Sequence, residues 1–472
     1  MKLKMALPKG RLLAPTAALL ERAGWGLDGY SDKARLYRLK SRVFPGLQAK
    51  MFQEKDIPIQ VAIGNYDLGI CGLDWIQEQL VKYPSSAIIR LKNLGFGEGA
   101  IYAAICTDAL RGNQLITRDE TVRLASEYPN LAESLAQKLR LKRFSVYPLW
   151  GAAEAYPAEN AEIVLLFCKN EEELAGRGMR SLGKVVDFKA FLIANKESLK
   201  SKDMSALLTS INEHLQQTVE YLSDDYAPHL SFLTQRVVPQ AVDSSTVRLA
   251  LPDGHQQVHV RRILDAVGIS LDDYPSSTGN RRPKSSLEGF SVKVIRPQDM
   301  PLQVANGNFD LAVTGRDWLT DHLYQFPASP VRELIDFKYG RVRIVAVVAD
   351  EVQVSTTEEL RALRQNRDTP CRVAAEYVNI ADDFARVNHL GAYRIIPTWG
   401  ATEAFLPEDA DLLIENTETG STIVRHNLKI IETLFESTAC LIGGTTLEPN
   451  QVKRERMESF VSLLKRAVAA LT

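Results

Sequence analysis

Between Glu415 and Leu428 the chain reads ENTETGSTIVRHNL, and six of these residues, Thr417, Glu418, Thr419, Gly420, Ser421 and Thr422, come two residues after a mainly apolar run, ADLLI. Glycine lets backbone approach a ligand, hydroxyls donate to phosphate oxygens, and a helix expected from Ile423 onward would add oriented N–H groups. The pattern is that of a phosphate cradle at the end of a buried strand, although a T-x-G-x-T string also suits an ordinary polar loop. Glu415, at the expected strand end, has two carboxylate oxygens that could accept from a pair of sugar hydroxyls. Arg296 and Arg343 supply cations for an anionic substrate.

The same region exists a second time and differs there. Laid over each other, the two halves repeat with an offset of about 245 residues, the mark of a duplicated domain. KMALPKGR (Lys4 to Arg11) faces RLALPDGH (Arg248 to His255), and EKDIPIQVAIGNYDLGICGLDW (Glu54 to Trp75) faces PQDMPLQVANGNFDLAVTGRDW (Pro297 to Trp318). SEYPNLAESLA faces AEYVNIADDFA, and PLWGAAEAYP faces PTWGATEAFL. In the first half the loop becomes LFCKNEEELAGRGM, where Glu171, Glu172 and Glu173 would repel a phosphate. Arg296 becomes Gln53 and Arg343 becomes Ala100. The asymmetry also runs the other way: Lys9 and Arg11 form a basic turn where the second half has Asp253 and His255, and Lys33, Arg35, Arg38, Lys40 and Arg42 add a basic stretch.

Features common to both halves are first suspected of serving the fold. Asp56 with Pro58, and Asp299 with Pro301, read as helix starts with Asp at the N-cap. Gly72 and Gly315 close strands, Trp150 and Trp399 pack at turns, and Tyr128 and Tyr377 are core or hinge residues. KLKMALP reads as a strand, RLLAPTAALLERAG as an amphipathic helix ending at glycine, DIPIQVAIGN as a helix and DLGICG as a strand. Strands alternating with helices predict an α/β fold with a mixed, mainly parallel sheet and two lobes in each copy. The copies are expected at residues 1–236 and 247–472, joined by a linker at Gln235 to Thr246.

Composition narrows the class. The 472 residues suit two domains, and a formal net charge of −1 leaves anionic substrates to be met by local cations; no nucleic-acid coat is implied. Five cysteines without CxxC or Cys/His spacing predict a reducing, cytoplasmic setting. The start, MKLKMALPKGRLL, fails as a signal peptide, and no apolar run approaches the roughly 20 residues of a membrane span.

ALPKGR (Ala6 to Arg11), IRPQDMP (Ile295 to Pro301), DLGICGLD (Asp67 to Asp74), YPNL (Tyr128 to Leu131) and ENTETGST (Glu415 to Thr422) occur in the order and spacing of one family. The chain resembles ATP phosphoribosyltransferase, which opens histidine biosynthesis, as two short-form catalytic cores in tandem; Glu415 stands where the family has Asp. The resemblance implies two tandem type II periplasmic-binding-protein-like units and phosphoribosyl transfer from phosphoribosyl pyrophosphate to N1 of ATP, with Mg2+. It further implies paired subunits with basic residues reaching a neighbour's site, and it leaves open homo-oligomerisation through first-lobe faces and a separate regulatory subunit. On this reading the ribose 5-phosphate would lie on Thr419 to Thr422 with Thr417 and Glu418 in the same loop, the ribose hydroxyls on Glu415, and the pyrophosphate on Arg296 helped by Lys9 or Arg11. Arg343 would line the nucleotide side, and Arg35 would add a substrate contact. A nucleophile attacking through a neutral ring nitrogen needs no general base, which suits a chain without a Ser/His/Asp or Cys/His set. Two other readings stay open: a solute-binding protein, and a non-catalytic nucleotide- or histidine-sensing regulator.

Overall fold

The structure, a computed structural model, describes residues 2–31, 37–107, 121–215, 243–276, 279–365, 369–445 and 448–471. Arg35, Lys33 and most of the expected linker lie outside the described residues. Two units emerge, and neither is a plain half of the chain. The first holds Met1–Pro148, Ala161–Val238 and Thr398–Ala404; the second holds Leu149–Asn160, Pro239–Pro397 and Phe405–Thr472. Each unit is thus completed by a short segment from the other copy.

In the second unit one sheet runs Phe290–Ile295, Val247–Pro252, Leu311–Gly315, Ala439–Gly444, Val331–Asp336, and the other runs Tyr393–Pro397, Cys371–Ala375, Leu412–Thr417, Val342–Ala349, Leu428–Ser437. The first unit repeats both orders with Leu47–Phe52, Leu3–Pro8, Leu68–Gly72, Ala190–Asn195 and Ile88–Asn93, and with Phe144–Pro148, Val122–Ser126, Ile163–Cys168, Ala100–Cys106 and Met179–Asp187; a short edge strand, Arg38–Lys40, is added to its first sheet. Pairing is parallel where helices connect the strands, as between Leu3–Pro8 and Leu47–Phe52, because a crossover is needed to bring strands into the same direction. It is antiparallel where the chain returns from the second sheet, as Ala439–Gly444 does against Leu311–Gly315. The sheets are therefore mixed, and the returning strand means that the chain passes between lobes twice in each unit.

Each sheet has its own apolar core, giving four cores and two lobes per unit. The helix Leu13–Arg22 shows how local sequence serves one of them: Leu13, Thr16, Leu19 and Leu20 fall on one buried face at the helical repeat. It stops where Gly24 takes a left-handed φ of +69° and the Trp25 N–H bonds back to the Leu20 carbonyl, a glycine-terminated helix end. The last helix of the second unit, Gln451–Leu471, lays Phe460 and Leu464 onto the core of its first sheet.

One local expectation fails and another holds only in position. Asp56 is not the N-cap of its helix, Asp56–Ala62, but its first residue. Asp299 occupies the N-cap of Met300–Ala305, as expected, but makes no side-chain capping bond; its carboxylate accepts from the backbone N–H of Trp150 at 3.0 and 3.2 Å. Among the described residues no helix is long and apolar enough to cross a membrane.

Candidate active site

The loop after Leu412–Thr417 is organised by its own hydroxyls. Thr417 is buried and its Oγ1 accepts from the Gly420 N–H at 2.9 Å, a side-chain turn that folds the backbone back on itself. Gly420 adopts φ +80°, a conformation that a side chain would strain. The helix that follows is Ser421–Arg425, beginning two residues before the expected Ile423, and no side chain caps it. Thr419 donates to Ser421 Oγ at 3.0 Å, and Glu418, Thr419, Ser421 and Thr422 face solvent. Arg343, in register with Thr417 across the adjacent strand, brings its guanidinium to 3.9 Å from where a Gly420 Cβ would lie. It thus lies beside the Gly420 loop; the sequence reading had assigned it to the nucleotide side.

Behind the loop, polar groups replace what could have been core. The Tyr377 hydroxyl donates to Asp317 at 2.6 Å and accepts from the Asn416 side-chain amide at 3.0 Å, while Ser437 donates to the other Asp317 oxygen at 3.0 Å. Burial raises the Asp317 carboxyl, against the pull of the bonds from Tyr377 and Ser437. Trp318 stacks on Tyr377 at 4.4 Å, and Trp150, from the segment donated by the other copy, packs on Trp318 at 5.5 Å. Glu415 is half-buried next to this network, accepting from its neighbour's N–H at 3.0 Å.

Arg296 stands on the other lobe of the second unit, at the end of Phe290–Ile295. Its guanidinium meets Asp253 Oδ2 at 3.1 Å. The same oxygen takes Arg281 at 2.9 Å, and Arg281 also bonds Glu154 at 3.0 Å.

The first unit keeps the tyrosine–aspartate bond behind the loop but is built differently at the loop and the basic turn. Asn170 accepts from the Glu173 N–H at 2.9 Å and Glu173 accepts from the Lys169 N–H at 2.7 Å, a reciprocal capping box that spends the loop's donors internally. Arg11 is engaged too: Nε donates to Glu54 at 2.9 Å, Nη2 bonds Asp74, and the guanidinium lies 4.4 Å from the Phe167 ring centroid and 3.9 Å from that of Phe188. Tyr128 donates to the same Asp74. The second copy has His255, Asn416 and Ser437 where the first has Arg11, Phe167 and Phe188, so the guanidinium–ring stack of the first unit is replaced by smaller polar side chains. Burial, opposed by Arg11 and assisted by Asp74, pushes the Glu54 carboxyl up to about 7. Lys9 lies 4.4 Å over the Tyr37 ring, and burial lowers its pKa against the influence of Glu403.

Beyond this geometry, similarity to known proteins settles the family. The family model of ATP phosphoribosyltransferase matches residues 53–217 and again 296–466. The chain belongs to the ATP phosphoribosyltransferase family. That places it with the enzymes opening histidine biosynthesis, as two tandem copies of one core. The ATP phosphoribosyltransferase of Prosthecochloris aestuarii is 33% identical over 229 residues, covering 48% of this chain and 72% of that protein. The Chlorobaculum parvum enzyme is 30% identical over 232 residues, covering 48% of this chain and 73% of its own length. Among solved structures, the ATP phosphoribosyl transferase (HisG:HisZ) complex from Thermotoga maritima is similar at 19% identity and a TM-score of 0.39, covering 48% of this chain and 100% of that one.

The sequence reading did not single out Arg281, Glu154, Tyr156 or the Phe167–Arg11–Phe188 stack. For the rings a signal was present, since Phe167 and Asn416 align in the loops that were compared. For Arg281 none was, because it sits in a basic run, NRRPK, outside the matched motifs.

Proposed function

We propose that the chain transfers the 5-phosphoribosyl group from phosphoribosyl pyrophosphate to N1 of ATP, at one site carried by the second unit. The observation supporting a single site is the contrast between the uncapped Gly420 loop, with Arg343 beside it, and the first unit's loop, closed by Asn170 and Glu173. Thr419, Ser421, Thr422 and the loop backbone would hold the 5-phosphate with Arg343, Glu415 would accept from the ribose hydroxyls, and Arg296 would meet the pyrophosphate. The adenine N1 lone pair forms the bond to C1 as the C1–O bond to pyrophosphate breaks, so the protein's work is positioning and neutralising the departing charge. Lys9 and Arg11, engaged with Tyr37, Glu54 and Asp74, would act as scaffold of the first unit and not on the pyrophosphate directly.

Among the described residues no three His, Cys, Asp or Glu side chains gather as a metal cage. A Mg2+ carried on polyphosphate oxygens needs at most one or two protein carboxylates, and Glu415 is of the right type. When bound it would neutralise pyrophosphate charge.

The deciding experiment mixes purified chain, ATP, phosphoribosyl pyrophosphate and Mg2+, and follows pyrophosphate and phosphoribosyl-ATP together. Turnover by the chain alone supports the enzyme and removes the need for a second component such as that in the Thermotoga complex. Tight nucleotide binding without turnover would favour the regulator. Gly420→Val should abolish phosphoribosyl pyrophosphate binding and Glu171→Gln should leave it intact; equal losses in a binding titration would sink the one-site reading.

A further inference from the structure

We propose that Asp253 is a positioning residue: a built-in counter-carboxylate that holds Arg296 when the site is empty and yields it to pyrophosphate. The inference rests on the reading of the second unit as the phosphoribosyl site.

One carboxylate oxygen of Asp253 receives two guanidinium groups, Arg281 at 2.9 Å and Arg296 at 3.1 Å. The two arginines are not equivalent. Arg281 is 19% exposed and anchored on both sides, by Asp253 and by Glu154. Arg296 is 43% exposed, lies against Gly151, and holds Asp253 as its one charged partner among the described residues, so it is the member less firmly anchored. Asp253 itself is only 9% exposed, and a carboxylate so placed loses much if both partners leave. It would lose only one, because Arg281 stays.

A replacement donor is also at hand. The Tyr156 ring is wholly buried, its hydroxyl has no hydrogen-bond partner among the described residues, and Asp299, Arg281 and Asp253 are the charges acting on it. Such an unpaired buried hydroxyl is unusual, and it lies in the electrostatic reach of the cluster formed by Asp299, Arg281 and Asp253.

The fold does not require this arrangement. The first unit has Lys9, Tyr37 and Gln53 where the second has Asp253, Arg281 and Arg296, and its donated segment supplies Glu403 to the Tyr37 hydroxyl at 3.2 Å, as Glu154 is supplied to Arg281. The counterpart of Tyr156 is Phe405, without a hydroxyl. The charge at the turn is thus inverted between units on the same backbone, and the second unit pairs an acid there with a part-exposed arginine. An acid beside a pyrophosphate site weakens binding, which serves a transferase that must also release pyrophosphate as product.

The test is calorimetric titration of the full chain with inorganic pyrophosphate and Mg2+, together with steady-state kinetics. Asp253→Asn should tighten pyrophosphate about tenfold, lower both KM for phosphoribosyl pyrophosphate and kcat, and deepen product inhibition. Glu154→Gln removes the same charge from the same cluster without touching Arg296, so its effect should stay below about twofold. Tyr156→Phe matches the phenylalanine of the other copy and so should fold; it should weaken pyrophosphate about threefold at an unchanged melting temperature. Unchanged or weaker binding in Asp253→Asn, equal tightening in Glu154→Gln, or no change in Tyr156→Phe overturns the latch while leaving the site assignment standing. Absence of pyrophosphate binding in the wild type and all variants overturns the site reading and the latch together.

Discussion

Glu54 is the residue whose titration should be felt by the folded protein. Its carboxyl is held at about 7 against an ordinary 4.5, chiefly by burial, so between those values the native state binds more protons than the unfolded chain. Stability from this group is therefore largest at low pH and falls as pH rises through the window from 4.5 to about 7. In Glu54→Gln that slope disappears. Thermal unfolding of wild type and variant between pH 4.5 and 8 should show the wild type losing ground relative to Glu54→Gln as pH rises to about 7. A constant difference would mean that Glu54 is ionised throughout, its charge kept by the Arg11 contact.

At the scale of elements, the two loops after Ile163–Cys168 and Leu412–Thr417 show how one backbone route is closed or left open by three or four side chains. The first loop's capping box should be a stability device without catalytic weight: Glu173→Ala should cost about 1 kcal/mol in chemical denaturation and leave turnover unchanged. A fall in turnover would mean that the first unit's loop serves the reaction. This level was the most legible in the sequence. Leu3–Pro8, Leu13–Arg22, Asp56–Ala62 and Leu68–Gly72 lie where periodicity and turn residues put them, and the turn at Thr417 to Thr422 was visible from its glycine and hydroxyls. What was not legible depended on partners far along the chain. Arg11 reads as a loose cation until Glu54 and Asp74, 43 and 63 residues away, are brought to it. Asp299 reads as a cap until the Trp150 N–H, 149 residues earlier, takes its carboxylate. Arg343 was visible as a cation, but only the strand register with Thr417 assigns it to the loop.

At the scale of the whole molecule, duplication has let the two copies diverge. In the first, the Arg11 guanidinium stacks on the rings of Phe167 and Phe188; the second has His255, Asn416 and Ser437 at those positions. The exchange of segments gives this arrangement a further property. Leu149–Asn160 belongs to the second unit, where it supplies Glu154 to Arg281, Glu159 to Lys293 at 2.8 Å and the ring of Trp150 to Trp318. In a pair of separate subunits such a donation would be lost on dilution below the dissociation constant. Here donor and acceptor are one polypeptide, and tethering of this kind sets an effective concentration that can reach the millimolar range whatever the amount of protein in solution. Specific activity should accordingly stay constant when the enzyme is diluted from micromolar to low nanomolar in the pyrophosphate assay, and a decline would show that a further association between chains is needed. The shared chain would then act as a permanent tether, keeping Leu149–Asn160 with the second unit at dilutions where separate subunits would part.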